Sequence, residues 1–222
     1  MTLDMDAMNK QLISEWLDRH TDLSDHYKSI FKNVKNAIQS DLSLFYDMNR
    51  AIMQGGGHIN RKDLNIEFLC NGSMCEMNTL FGRMNMEAMD FRKIITTFIE
   101  FYEPIYPIGT VVELKKEAFK SIIDISNIDK LKVVIAHRVI PISDSRFMPY
   151  IGVIYPVGPT GEPNDGLHFT PAAIEKVVHM GYADDQELAF LFNIKYHAIV
   201  EMDMHSTAFF TKEEYLNVVN NS

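Results

Sequence analysis

The chain has 222 residues, 46% of them hydrophobic, and carries 21 Lys or Arg against 30 Asp or Glu for a formal net charge of −9. Such a chain can bury a core without disulfide or metal staples. Its acidity, with no lysine or arginine run, argues against a nucleic-acid partner, because phosphate-backbone binding depends on clustered positive charge.

Met1 to Lys10 contains Asp4 and Asp6 and has neither the basic nor the apolar region of a secretory signal, so a cytoplasmic protein is expected. The longest apolar stretches, such as Met148 to Val157, are broken by Pro and Gly and fall short of the ~20 residues of a membrane span. Direct membrane insertion is not expected.

Met8, Leu12, Trp16 and Leu17 form a first amphipathic helix. Ser24 then caps a helix in which Tyr27, Phe31, Val34, Ile38, Leu42, Phe45, Met48 and Ile52 share one face, through to Met53. At ~1.5 Å per residue that helix would be about 45 Å long. Gly55-Gly56-Gly57 ends it, and a short helix over Asp63–Leu69 precedes the turn signal Asn71-Gly72. Cys70 and Cys75 are too few for a disulfide framework or a zinc site, and read as ordinary loop or core cysteines in a reducing compartment.

Next, Met77, Phe81, Met84, Ala88, Phe91, Ile95, Phe98 and Tyr102 follow at alternating spacings of four and three. This period predicts a second long helix, packed on the first as an antiparallel hairpin or paired with a second copy of the chain, so homo-oligomerisation stays open. Met74, Met77, Met84, Met86 and Met89 crowd this segment, and flexible thioether chains suit a surface that adapts to a partner. Those five are the candidate partner-binding residues. Met86 and Met89, off the main stripe, are the most partner-facing.

Pro104 and Pro107 mark a change of organisation, giving a helical domain over residues 1–105 and a small α+β domain over 106–222. Strands are expected at Ile108–Leu114, Leu131–Ile140, Tyr150–Tyr155 and Leu167–Phe169, with a stiff turn at Pro156–Pro163. Thr170-Pro171 predicts a helix over Pro171–His179. Asp184 and Glu187 start another with Leu188, Leu191, Phe192, Lys195, Ile199 and Met202 buried, reaching about residue 204. Thr211 to Glu214 begins a last helix through Tyr215 and Val219. The fold class is thus α+β: a long N-terminal helical hairpin, then a small antiparallel sheet with C-terminal helices.

No nucleophile, base and oxyanion donor can be named together, and no catalytic, cofactor or metal residue is assigned. His197, Glu201 and His205 share a helical face in this reading, but two turns, ~12 Å, separate the histidines, too far for one ion. A hydrolase or metal-binding protein using that helix is the alternative to a binding protein.

The segments Pro107-Ile-Gly-Thr-Val-Val, Lys132-Val-Val-Ile-Ala, Tyr150-Ile-Gly-Val-Ile-Tyr-Pro, Phe169 leading into Ile174-Glu-Lys-Val-Val178, and Gly181-Tyr182 before acidic residues together resemble a domain of unknown function from Firmicutes. That domain is usually encoded beside type VII secretion genes and their LXG toxins. The whole chain is similar to its helix-extended members, the EsaE/EssE-like proteins of the Ess system. The resemblance implies a cytosolic chaperone or escort without catalytic residues, whose partners are a secreted toxin or other type VII substrate and the membrane secretion ATPase. Through that machine it would sit peripherally at the membrane. Trp16-Leu17-Asp18 is not a Trp-x-Gly turn, and none of the nine tyrosines has Asp or Glu four positions later, so escort is expected over cargo.

Overall fold

Glu103 and Pro104 are the junction between two units of the computed structural model, which describes residues 4–38, 41–124, 126–159 and 166–211. The first unit runs from Asp4 to Glu103 and the second from Pro104 onward.

In the first unit, the Asp4 carboxylate accepts hydrogen bonds from the amides of Asp6 and Ala7 and caps α1 (Met5–Arg19). The long second helix is not found. α2 (Asp25–Ile38) and α3 (Ser43–Met53) are separate, because Asp41 turns back on the chain: its amide donates to Ile38 O and its carboxylate accepts from Ser43 N at 2.9 Å. Such local bonds are the usual competition an aspartate offers to helix continuation.

A four-stranded antiparallel meander follows, in the order β1 (Gly56–Arg61), β2 (Ile66–Asn71), β3 (Met74–Thr79) and β4 (Gly82–Glu87). It replaces the expected Asp63–Leu69 helix and the first half of the methionine helix. α4 (Ala88–Tyr102) is the part of that helix that exists, and α3 packs against it. The long N-terminal helical hairpin is therefore corrected to a shorter pair with a sheet between its arms in sequence.

The seven-residue spacing misled for a geometric reason. Met77 and Met84 are direct cross-strand partners around the Leu80-Phe81 turn, and such a rung also separates residues by the two turns of a 3.5-residue period. The true signal is alternation by two, with Ile66, Phe68 and Cys70 buried and Glu67, Leu69 and Asn71 exposed.

The core of this unit is aromatic. Phe91 on α4 lies 5.6 Å from Phe31 and 5.1 Å from Phe68 between ring centroids. Phe98, two turns on, lies 5.8 Å from Phe31, 5.7 Å from Phe45 and 6.4 Å from Trp16. One face of α4 thus gathers α1, α2, α3 and β2, each ring pair adding about 0.5–1.5 kcal/mol beyond its buried area.

The second unit is a mixed sheet built on β5 (Val111–Leu114), β6 (Leu131–Ser143), β7 (Arg146–Ile154), β8 (Leu167–Phe169), β9 (Ile174–His179) and β10 (His205–Ser206). The path is β10-β7-β6-β5-β9, with β8 also on β7; every pairing is antiparallel except the short one of β10 with β7. The four expected strands are all present.

The Pro171–His179 helix is corrected to one 3₁₀ turn, Pro171–Ala173, followed by β9 on β5. Ile174, Val177 and Val178 are β-branched, and pairing with β5 outweighs the helix-start signal. α5 (Asp185–Lys195) begins as expected, with Asp184 accepting from Gln186 N and Glu187 N, and continues as a π-helical turn to Glu201. The helix expected from Thr211 to Val219 lies, beyond Thr211, outside the described residues, as do residues 160–163 of the expected turn.

Candidate partner-binding cleft and the Arg138 groove

The five methionines divide by environment. Met77 and Met84 are fully enclosed, Met77 lying opposite Phe68 on β2 and Met84 on β4, so as candidate partner contacts they are corrected to core residues. Met74 at the start of β3 and Met89 in the first turn of α4 are exposed, Met89 at 54%. Met86, near the end of β4, is half-buried and lines a cleft of about 330 Å³.

Trp16, from α1, is at the base of that cleft. His20, one turn later, holds its ring 4.0 Å from the indole, with Nδ1 2.8 Å from Trp16 O. Tyr27 of α2 and Met86 of β4 form walls, and Asp22, Asp90 and Lys93 supply charge.

Tyr27 fixes the geometry. Its hydroxyl donates to Asn85 O and accepts from Asn85 N, both at 3.1 Å, so the outer edge of β4 is occupied beside Met86. Gly82, at φ +138, lets the same strand approach α2 closely: a Cβ there would lie 2.9 Å from His26 Cε1 and 3.0 Å from Ile30 Cδ1. The cleft combines an indole base, a thioether wall and a charged rim, which suits an amphipathic segment better than a small polar substrate.

In the second unit the quoted motif residues converge on architecture. Thr110 Oγ1 donates to Pro107 O at 2.7 Å and accepts from Gly181 N at 3.0 Å. Tyr150 Oη donates to Pro104 O and accepts from Tyr106 N, each at 3.1 Å, while its ring stacks on Phe169 at 5.3 Å. Residues far apart in sequence thereby tie β5, β7, β8 and the segment after β9 together.

A shallow groove of about 520 Å³ runs along β6 beside α5. Arg138, one of its lining residues, has a side chain only 5% exposed; it makes a two-pronged ion pair with Glu187, its Nη2 2.9 Å from Glu187 Oε2, and donates to Tyr106 O at 3.3 Å. The Phe190 ring lies 5.2 Å from the guanidinium. Glu187 is thus engaged across the unit instead of completing a capping box at its own helix start. Val139, next in β6, has φ +51, a conformation costly for a β-branched residue and often found where function or packing demands it. Sequence reasoning missed this pair, although Arg138 inside the apolar run Val133–Ile140 was its signal.

His197, Glu201 and His205 do not share a helix face. His197 Nδ1 and Glu201 Oε2 are 2.8 Å apart on the π-helical turn, whereas His205 belongs to β10 and is buried. Among the described residues no group of three His, Cys, Asp or Glu side chains could hold a metal ion, and no helix is long and apolar enough to cross a membrane.

Residues 105–190 match the family described as Domain of unknown function (DUF4176). That stretch, less than half of the chain, begins before β5 and ends at Phe190, so it contains every residue lining the Arg138 groove. No curated protein and no solved structure matches the chain.

Proposed function

We propose that the protein is a non-catalytic cytoplasmic escort that binds a type VII secretion substrate, in particular a toxin, and delivers it to the membrane secretion ATPase. The observation that carries the binding half of this reading is the Trp16–Met86 cleft in the first unit, whose half-buried thioether and aromatic base offer an amphipathic helix a place to seat. The type VII half rests on the resemblance of the segments from Pro107 onward to domains encoded beside LXG toxins. Met89 and Met74, exposed on the same unit, extend the adaptable apolar surface. The second unit, with its Arg138 groove, is assigned to the same cargo or to the ATPase.

Isolating the tagged full chain from its own host after crosslinking tests this reading. Recovery of an exported toxin or an ATPase component, reduced when Met86 is replaced by Glu, supports it. Recovery of neither sets it aside.

A further inference from the structure

Cys70 on β2 and Cys75 on β3 are direct cross-strand partners, both buried and both free thiols. The loop between these strands is Gly72-Ser73, so its closing pair, Asn71 with Met74, is the hydrogen-bonded one and the cysteine rung is the non-hydrogen-bonded one next to it. At such a rung the Cα atoms are ~4.5 Å apart, inside the ~4.4–6.8 Å range of disulfides. Directly opposed side chains also share one face of the sheet. Cys75 is in turn opposite Met86 on β4, so one rung runs Cys70, Cys75, Met86 and ends in the cleft wall next to Trp16.

We propose that Cys70 and Cys75 are a reversible oxidation site, which a small-molecule disulfide such as oxidised glutathione converts to an intramolecular disulfide stapling β2 to β3 behind the cleft wall. The Cys70 thiolate attacks one sulfur of the small disulfide, forming a mixed disulfide and releasing one thiol. The Cys75 thiol then gives its proton to solvent and its sulfur displaces the second small thiol from Cys70. Two protein thiols are oxidised and one small disulfide is reduced to two thiols. Cys70 is the entry point: its Sγ lies 3.9 Å from O of Gly72 in the exposed hairpin loop, whereas burial and the neighbouring Cys70 push the Cys75 thiol up and disfavour its thiolate. The turn itself is tied to both helices, Gly72 N donating to Gly55 O after α3 and Ser73 O accepting from Ala88 N at the start of α4. A staple one rung away therefore stiffens the frame that carries Met86.

The proposal is independent of the escort reading, since no partner enters its test. The folded full chain is incubated with oxidised glutathione, then followed by intact mass and by emission of Trp16, the sole tryptophan. Expected are loss of two hydrogen masses without retained glutathione, reversal by dithiothreitol, and a changed Trp16 emission. With Cys75→Ala the glutathione should remain attached to Cys70. A wild-type chain that keeps both thiols, or keeps glutathione, overturns the oxidation site. Complete closure with unchanged Trp16 emission overturns its coupling to the cleft.

Discussion

One methyl group added at Gly152 would sit 2.4 Å from Val133 Cγ1 and 2.6 Å from Val134 O, and one added at Gly181 would sit 2.4 Å from Ile108 O. Val134 O and Ile108 O are backbone atoms, and the β-branched Val133 has little room to turn aside. Gly152→Ala should therefore destabilise the second unit by about 2 kcal/mol or more, measured by urea unfolding, and a variant as stable as the parent would refute the close approach. Both glycines belong to the motifs that made the sequence resemble a known domain, and their reason is now steric. Another residue sets a pH dependence. Lys35 is almost fully buried, its Nζ 3.8 Å from the centre of the Tyr102 ring; burial lowers its pKa to about 8, against the opposing pull of Asp6. Between about pH 8 and its ordinary value near 10.5, the unfolded chain holds the Lys35 proton and the folded chain does not, so this group favours folding as pH rises through that window. The gain should be about 1–3 kcal/mol. Burial also raises the Cys75 thiol and the phenols of Tyr46 and Tyr102, each phenol reinforced by a carboxylate, so the folded chain keeps protons that the unfolded chain releases above about 9 for the thiol and ~10 for the phenols, and these groups lower stability as pH rises. Lys35→Met should remove the Lys35 gain, read as the difference between parent and variant, while leaving the fall. Unfolding curves from pH 7 to 11 check both signs.

At the scale of the element, β3 and β4 decide how far the methionine surface can be read. Met77→Glu puts a charge in the sealed interior between β2 and β4 and should unfold the first unit, a loss of about 4 kcal/mol. Met86→Glu, at a half-buried cleft wall, should leave the circular dichroism spectrum unchanged and weaken cargo binding at least about tenfold, roughly 1.4 kcal/mol. Equal behaviour of the two variants would contradict the placement of the strand. Tyr27→Phe removes both hydroxyl bonds to Asn85 and should cost about 1–2 kcal/mol in thermal or urea unfolding. The same strands explain what the sequence could and could not reveal. Apolar identity was legible in part: the stripe positions Phe31, Phe45, Phe91 and Phe98 are buried as expected, whereas Phe81 on the same stripe is exposed, and Met77 and Met84, expected among the partner contacts, are interior. Element type was not, because a hairpin rung and two helical turns can both separate partners by seven residues. At Ile174–His179, a real start signal at Thr170-Pro171 was followed by only one turn, since the β-branched residues beyond it found a partner in β5. In the candidate site, Met86 was legible as off-stripe, but Trp16 and Tyr27 were not legible as its neighbours, because α1, α2 and β4 meet only in three dimensions.

For the whole molecule, the chain forms two compact units, between which the proposed escort reading would divide the labour. The first offers an aromatic and thioether cleft, and the second carries a groove around a buried ion pair inside the segment that matches a domain of unknown function. The formal charge of −9 would favour a partner with a basic face and slow its escape at low salt. The central claim is that the first unit's cleft receives another protein's helix. Titrating the purified full chain with the exported toxin recovered from its host, while following Trp16 emission, tests this most directly. The account predicts saturable binding with a changed emission, weakened at least about tenfold by Met86→Glu. Toxin binding that leaves Trp16 unperturbed and is indifferent to Met86→Glu, or no binding at all, would contradict it.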